Sequence, residues 1–363
     1  MMRYQRQISL EEVGLEGQQR LAKASVLVIG AGGLGCPILQ YLAVAGLGKL
    51  GIADMDTVSL SNLHRQVLYT EADVNRPKVE AAYDRLKAVN KDLEIQLYPE
   101  GFHAENALEM IASYDLIIDG TDNFETRYLV NDACVRAGKP WIYGALFKQE
   151  GQFALFNHRD SATYRCLYPE PPMAGEVPNC NELGILGTVS GLVGLQMAHM
   201  ALQFILWPDS APTATLFYCN LKDFSQQTLK IKRNDLAVSQ LQQSDQPLKR
   251  ISLLNCETPE GYSIENALKS EGSQLLDVRY RDEAPLINDS RVLHIPIDEL
   301  AGRLESLNPL EAYYCYCISG ARAEKAVRML KDHGFDKVYK LSESVEQIKN
   351  HLKKSKTQSH EVH

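Results

Sequence analysis

The chain has no surplus of positive charge: 38 Lys and Arg stand against 46 Asp and Glu, for a net charge of −8. This argues against general nucleic-acid binding, which needs cations to displace phosphate counterions. Any anionic ligand must be met by a local cluster instead. Cysteine is sparse, with eight in 363 residues, and no apolar leader opens the chain, since Met1-Met2-Arg3-Tyr4-Gln5-Arg6 runs into polar sequence. Together these predict reduced thiols in a cytoplasmic protein. The most apolar stretch, 183–207, is interrupted by Thr188, Ser190, Gln196, His199 and Gln203. It reads as a buried core helix, so no membrane partner is expected. A phosphate loop ending in Lys-Ser or Lys-Thr is missing. No internal repeat is visible.

What is present begins with an apolar run, Ser25-Val26-Leu27-Val28-Ile29, followed by Gly30-Ala31-Gly32-Gly33-Leu34-Gly35 and a helical pattern. A strand, a tight glycine turn and a helix start let backbone N–H groups approach a nucleotide phosphate. Candidate strands at 25–30, 50–54, 93–98, 115–119, 140–144 and 152–157 alternate with helical patterns at 34–45, 76–90, 104–113 and 126–138. That alternation predicts an α/β fold, a Rossmann-like doubly wound, mostly parallel sheet with helices on both faces. Residues 216–231 read as late antiparallel strands. The length favours two domains. We place the first at 1–235, a polar linker at 236–260, a small α/β domain at 261–352 and a flexible tail at 353–363.

Groups at the carboxyl ends of parallel strands converge on one crevice. Asp54 ends the second strand, where a carboxylate can grip a ribose. Asp122 lies just beyond the strand Leu116-Ile117-Ile118-Asp119 and is a candidate Mg²⁺ ligand; alternatively it caps the next helix together with Thr121. Arg65, Lys78 and Arg6 are the cations available for phosphate. A redox dinucleotide site has little use for so many cations; a site that splits a triphosphate needs them. An NAD-dependent oxidoreductase built on the same glycine turn would leave Arg65, Lys78 and Asp122 unexplained. A non-catalytic scaffold would leave Asp122 without a role.

Arg3-Tyr4-Gln5-Arg6-Gln7, the glycine turn, Asp54-Met55-Asp56, Ser61-Asn62-Leu63-His64-Arg65-Gln66, Pro77-Lys78, Thr121-Asp122-Asn123 and Tyr164-Arg165-Cys166-Leu167-Tyr168-Pro169 together resemble the MoeB/ThiF family. These are bacterial relatives of ubiquitin-activating enzymes. The resemblance covers residues 1–232. It implies ATP·Mg²⁺ as cofactor and adenylation of the C-terminal glycine of a small β-grasp sulfur-carrier protein ending in Gly-Gly. It implies a nucleotide site of Gly30, Gly32, Gly33, Gly35, Asp54, Asp56, Ser61, Asn62, Leu63, His64, Arg65, Lys78, Asp122 and Asn123. It also implies a homodimer in which Arg6 reaches the partner's triphosphate, and a loop cysteine, Cys180, that bonds covalently to the carrier or to a persulfide. Many members bind zinc through two Cys-x-x-Cys pairs. Here Thr163-Tyr164-Arg165-Cys166 and Leu236-Ala237-Val238-Ser239 stand at those places, leaving one thiolate of four, so no zinc is expected.

In the second domain, Tyr313-Tyr314-Cys315-Tyr316-Cys317 leads into a loop with Gly320 and Arg322. Such a loop can aim N–H groups at the Cys317 sulfur, and Arg322 adds positive charge. Cys315 is expected to pack inside the strand. This loop, with Leu276-Asp277-Val278-Arg279 and His294-Ile295-Pro296, resembles a rhodanese domain over 260–352. The resemblance implies that Cys317 carries a persulfide, loaded by a donor such as a cysteine desulfurase. Leu341-Ser342-Glu343-Ser344 stands where the family has a glycine pair. The joint resemblance leaves molybdopterin, thiamine, cysteine and thiolated-tRNA synthesis equally open.

Overall fold

The computed structural model describes residues 2–172, 184–244, 246–248, 262–269, 272–281, 283, 285–317 and 320–360. These form two units, one of residues up to 171 and from 184 to 248, the other of residue 172 and residues from 262 on. In the first, α1 (Gln5–Ile8) and α2 (Gly14–Lys23) precede β1 (Ser25–Ile29). Then α3 (Gly35–Ala45), β2 (Lys49–Ala53), α4 (Lys78–Val89), β3 (Glu94–Tyr98), α5 (Ala107–Ala112), β4 (Leu116–Asp119), α6 (Phe124–Ala137) and β5 (Trp141–Phe147) alternate. The chain continues through β6 (Glu150–Phe156), α7 (Tyr164–Leu167), α8 (Gly187–Leu206), β7 (Thr215–Asn220) and β8 (Ser225–Lys230). One sheet results, in the order β3-β2-β1-β4-β5-β6-β7-β8. Strands β1 to β5 run parallel, and β6, β7 and β8 add antiparallel.

The alternation of side chains along a strand divides the core. Val26 and Val28 of β1 join Ile38, Leu42, Leu50, Ile52 and Ile118 on one face of the sheet. Leu27 and Ile29 join Ile117, Tyr128, Trp141 and Tyr164 on the other. Helix α8 is long and apolar enough to cross a membrane by length and composition alone, but half of its most apolar window is buried in the fold. Its Met197 and Val193 occupy the space that a Cβ at Gly144 or Gly151 would need, each only 2.2 Å away. Two strand glycines thus let the helix lie close on β5 and β6.

Residues 236–242, read from the sequence as the start of a linker, belong instead to helix α9 (Asp235–Gln242). The Asn234 side chain accepts from the Ala237 N–H at 3.2 Å and caps it, and Val238 is buried. One apolar anchor and a capping asparagine are too weak a periodic signal to stand out in so polar a stretch.

The second unit holds α10 (Ile264–Lys269), β9 (Ser273–Asp277), β10 (Val292–His294), β11 (Ala312–Tyr316), α11 (Ala321–Asp332), β12 (Val338–Lys340) and α12 (Val345–His360). Its four strands form a parallel sheet in the order β10-β9-β11-β12. The tail expected to be flexible from 353 is helical to His360. Val345, Ile348 and Leu352, spaced to share one face, are buried and anchor α12, and extending a helix already formed costs little.

Candidate functional sites

In the order β3-β2-β1-β4-β5 the chain leaves β1 and β4 in opposite directions, which opens a crevice between their carboxyl ends. The glycine turn follows β1 and Gly120-Thr121-Asp122 follows β4, so both line that crevice. They touch: a Cβ at Gly30, whose φ is +91°, would lie 3.0 Å from the Gly120 carbonyl. A Cβ at Gly35 would lie 2.0 Å from the Gly30 oxygen. Gly32, by contrast, faces open space, with only Gln66 Nε2 within 4 Å of an added Cβ, at 3.7 Å. Among the described residues, no acceptor takes the N–H of Gly32 or Gly33. The turn therefore offers two amides at the start of α3, an arrangement suited to an anion.

Asp54 braces this turn. Its Oδ2 accepts from the Ala31 N–H at 2.7 Å, and its Oδ1 accepts from the Asp56 N–H at 2.8 Å. Burial pushes its carboxyl above the ordinary value, against the pull of Lys78. Lys78 is itself buried. It donates to Asp56 Oδ2 at 2.8 Å and lies 3.8 Å from Asp54 Oδ1, so its charge is shared between two carboxylates. Tyr69 and Cys36 both donate to the Ala31 carbonyl, at 2.9 and 3.5 Å, and hold the turn from beneath. Burial raises the Cys36 thiol to about 12.

Arg65 is brought to the glycine turn: its Cδ stands 3.5 Å from where a Cβ of Gly33 would be. Its guanidinium bonds the Ser61 carbonyl at 3.3 Å and pairs with His64 Nε2 at 2.8 Å. Leu63 packs against the core below, and Ser61 Oγ meets Ser59 Oγ at 2.9 Å. Asp122 is exposed, and its carboxylate makes no hydrogen bond or ion pair among the described residues. It does not cap α6. Asn123 does, accepting from the Thr126 N–H at 2.8 Å, so the carboxylate is left free.

Arg6 is not brought to the glycine turn of its own chain. Gln7 Nε2 donates to the Ala45 carbonyl at 2.9 Å and the Tyr4 ring lies against Gly46, which docks the segment at the far end of α3. Eleven helical residues separate the two ends, about 16 Å at 1.5 Å per residue. Arg6 itself is exposed there.

Several neighbours of the crevice were not singled out from the sequence. Ser190 of α8 is fully buried beside Gly33, 3.2 Å from its added Cβ. Gln66 is buried with its Oε1 unpartnered. Asp119 is fully buried; it accepts from Thr121 N–H and Oγ at 2.9 and 2.6 Å, with Arg127 Nε 3.9 Å from its other oxygen. Burial raises the Asp119 carboxyl despite that arginine. Gln66 closes the motif that begins at Ser61; the Asp119–Arg127 pair carries no local signal.

Cys166 Sγ accepts from the Asn234 N–H at 3.3 Å and the Thr163 N–H at 3.4 Å. Arg165 beside it grips Asp132 with two bonds of 2.7 and 2.8 Å. These hydrogen bonds tie the segment around Cys166 to Asn234, the residue that caps α9. Cys180 lies outside the described residues.

In the second unit, β11 delivers Cys317 to the turn before α11. Its Sγ accepts from the Gly320 N–H at 3.1 Å and the Ala323 N–H at 3.4 Å. Gly320, at φ +83°, supplies the left-handed residue that aims the first of these. The side chain of Arg322 does not offer an unopposed charge, because Glu283 grips it. Behind the turn, Asp277 and Arg279 form a buried pair with bonds of 2.6 and 2.9 Å. Cys315 is buried as expected, and burial pushes its thiol up, as it does for Cys134 and Cys219.

The model of the ThiF family matches residues 4–239, and that of the rhodanese-like domain matches residues 262–351. The sulfur carrier protein adenylyltransferase of Thermus thermophilus is 47% identical over 237 residues, 64% of this chain and 88% of that one. The probable adenylyltransferase/sulfurtransferase MoeZ of Mycobacterium tuberculosis is 37% identical over 348 residues, 92% of this chain and 88% of that one. Among solved structures, E. coli MccB with MccA-N7isoASN superposes with a TM-score of 0.58 at 22% identity, over 64% of this chain and 72% of that one. This last likeness concerns the fold. Both family resemblances read from the motifs hold, and so does the α/β fold class.

Proposed function

This chain belongs to the ThiF family and carries a rhodanese-like domain, and from that premise we propose that it is a cytoplasmic enzyme that adenylates a small β-grasp sulfur-carrier protein with ATP and then transfers sulfur to it. The reading is carried above all by the meeting of the Gly32–Gly33 amides, Arg65 and the unbonded Asp122 carboxylate at one crevice.

The amides of Gly32 and Gly33 receive phosphate oxygens. Asp54, which braces the turn, accepts from a ribose hydroxyl. Arg65 offsets phosphate charge, and Lys78 exchanges its bond to the exposed Asp56 for one to phosphate. An exposed carboxylate with no other partner fits a hard cation, so Asp122 is the residue that would hold Mg²⁺. That ion, when bound, supplies neutralisation of the phosphates. The carrier's terminal carboxylate attacks the α-phosphorus, the bond to pyrophosphate breaks, and an acyl adenylate forms. Proximity and charge compensation are what the site contributes, since a carboxylate is a poor nucleophile toward a polyanion. Arg6, docked at the far end of α3, acts on the nucleotide of a second copy in a homodimer.

Cys317, cradled by two N–H groups, carries the persulfide. Its terminal sulfur attacks the adenylated carbonyl and expels AMP. Cys180 then attacks the Cys317 sulfur and releases the carrier thiocarboxylate. The disulfide left behind is reduced by an external thiol. The hydrogen-bonded contact of Cys166 with Asn234 supports a fold that needs no zinc.

The test is carrier-dependent exchange of pyrophosphate into ATP. Asp122→Ala removes an exposed side chain and leaves the protein folded, yet exchange falls by roughly a thousandfold or more. Undiminished exchange removes Asp122 from the mechanism.

A further inference from the structure

Glu283 belongs to none of the sequence motifs. It lies on the loop between β9 and β10, and its carboxylate takes two hydrogen bonds from Arg322, the Nη2–Oε2 bond being 2.9 Å. The arginine and glutamate side chains are 15% and 19% exposed. The grip is anchored on both sides. The Tyr280 N–H donates to Glu283 Oε1 at 2.9 Å, and the Tyr280 ring lies 5.0 Å from the guanidinium. The bonds from Arg322 hold the Glu283 carboxyl below its usual range, so it is ionised at neutral pH.

A second cation borders the same turn. Lys340 Nζ stands 3.7 Å from where a Cβ of Gly320 would be, and it is tied to Glu324 at 3.0 Å. Arg328 also reaches Glu324, at 3.7 Å, but from one helical turn further along α11. Among the described residues, Arg322 and Lys340 are thus each matched by a carboxylate.

We infer that Glu283 selects the class of sulfur donor. By holding Arg322 it withholds the cation that a small dianion such as thiosulfate needs, and it leaves Cys317 to persulfides. In both cases the Cys317 thiolate attacks the sulfane sulfur, the donor S–S bond breaks and a new S–S bond forms on Cys317. The electron pair leaves with the departing group, so no external oxidant or reductant is needed. The difference is charge. Thiosulfate brings two negative charges to a thiolate and expels sulfite, whereas a persulfide expels a single thiolate. Without an unopposed cation the first approach is the more strongly repelled.

This inference rests on the reading of Cys317 as the persulfide cysteine, and one experiment separates the two. The full chain is incubated with thiosulfate or with cysteine persulfide, and the rate of sulfur addition to the Cys317 peptide is followed by mass spectrometry. Glu283→Gln raises the thiosulfate-to-persulfide rate ratio about tenfold, the effect of removing the carboxylate that opposes one partly buried charge. Glu283→Asp, which keeps the charge, stays within about twofold of the original ratio. An unchanged ratio in Glu283→Gln, or an equal rise in Glu283→Asp, overturns the inference, the latter by making loop geometry the cause. If Glu283→Gln does not fold, Glu324→Gln, which loosens Lys340, must move the ratio the same way; if it does not, the inference falls. Failure of Cys317 to take sulfur from either donor removes both readings, while loading at an unchanged ratio removes only this one.

Discussion

Substituting Gly35 and Gly32 separately distinguishes the turn's shape from its openness. A Cβ at Gly35 would stand 2.0 Å from the Gly30 oxygen and 2.9 Å from its carbon. A carbon–oxygen contact needs about 3.3 Å, so the turn must open by roughly 1.3 Å. Both atoms are backbone, and no rotamer change relieves the clash. Overpacking of this kind costs about 1–3 kcal/mol. The same displacement carries the Gly32 and Gly33 amides away from the phosphates they are proposed to bind, and misplacement by about 1 Å costs on the order of a hundredfold in rate. Gly32→Ala differs. Its Cβ meets only Gln66 Nε2, at 3.7 Å, so Tm is unchanged, but the methyl occupies the space a phosphate would enter. Thermal denaturation and pyrophosphate–ATP exchange, measured on both variants, check this. Gly35→Ala lowers both Tm and exchange; Gly32→Ala lowers exchange alone. Wild-type Tm and exchange in Gly35→Ala would refute the steric argument. Wild-type exchange in Gly32→Ala would take the turn out of nucleotide binding.

Asp277→Ala leaves Arg279, whose side chain is 0% exposed, as a buried charge short of its carboxylate; urea denaturation should register a loss of about 3–5 kcal/mol in the rhodanese-like unit. Elemental analysis of the purified protein should find no stoichiometric zinc, and chelators should leave its circular dichroism unchanged; one zinc per chain would point to ligands other than Cys166. Cys317→Ala should block sulfur loading from a persulfide donor and leave pyrophosphate exchange intact. Cys180→Ala should still load sulfur on Cys317 but yield less thiocarboxylate; sulfur found on Cys180 alone would reverse these roles.

The parts of the site that the sequence makes legible are those written in consecutive residues. β1 and its glycine turn are an apolar run followed by glycines that only a tight backbone requires, and β4 ends visibly at Asp119 before Asp122. The Cys317 turn is readable for the same reason, as a strand delivering a cysteine to a glycine three residues on. The alternative of Asp122 as a helix cap shows the limit: Asp122 and Asn123 are both good N-caps, and only the backbone chooses between them. Pairs closed across the fold leave no such trace. Glu283 is 39 residues from Arg322, and no local pattern announces that they meet. The docking of Tyr4 and Gln7 on the end of α3, which fixes where Arg6 stands, is likewise a tertiary fact. Helices α9 and α12 escape notice because a single buried valine or a three-residue apolar face holds each in place amid polar sequence.

A protein that handles sulfane sulfur also has to keep it from going astray. Among protein side chains it is a thiolate that accepts such a sulfur, and Cys36 lies directly under the glycine turn. With its thiol raised to about 12, Cys36 stays protonated at pH 7. Cys134, Cys219 and Cys315 are buried and raised in the same direction. Burial thus withholds these four thiols from the sulfur transfer proposed for Cys317. The persulfide proposed at Cys317 meets no ready thiolate at Cys315, two residues earlier within β11, although both sulfurs belong to the same short stretch of chain.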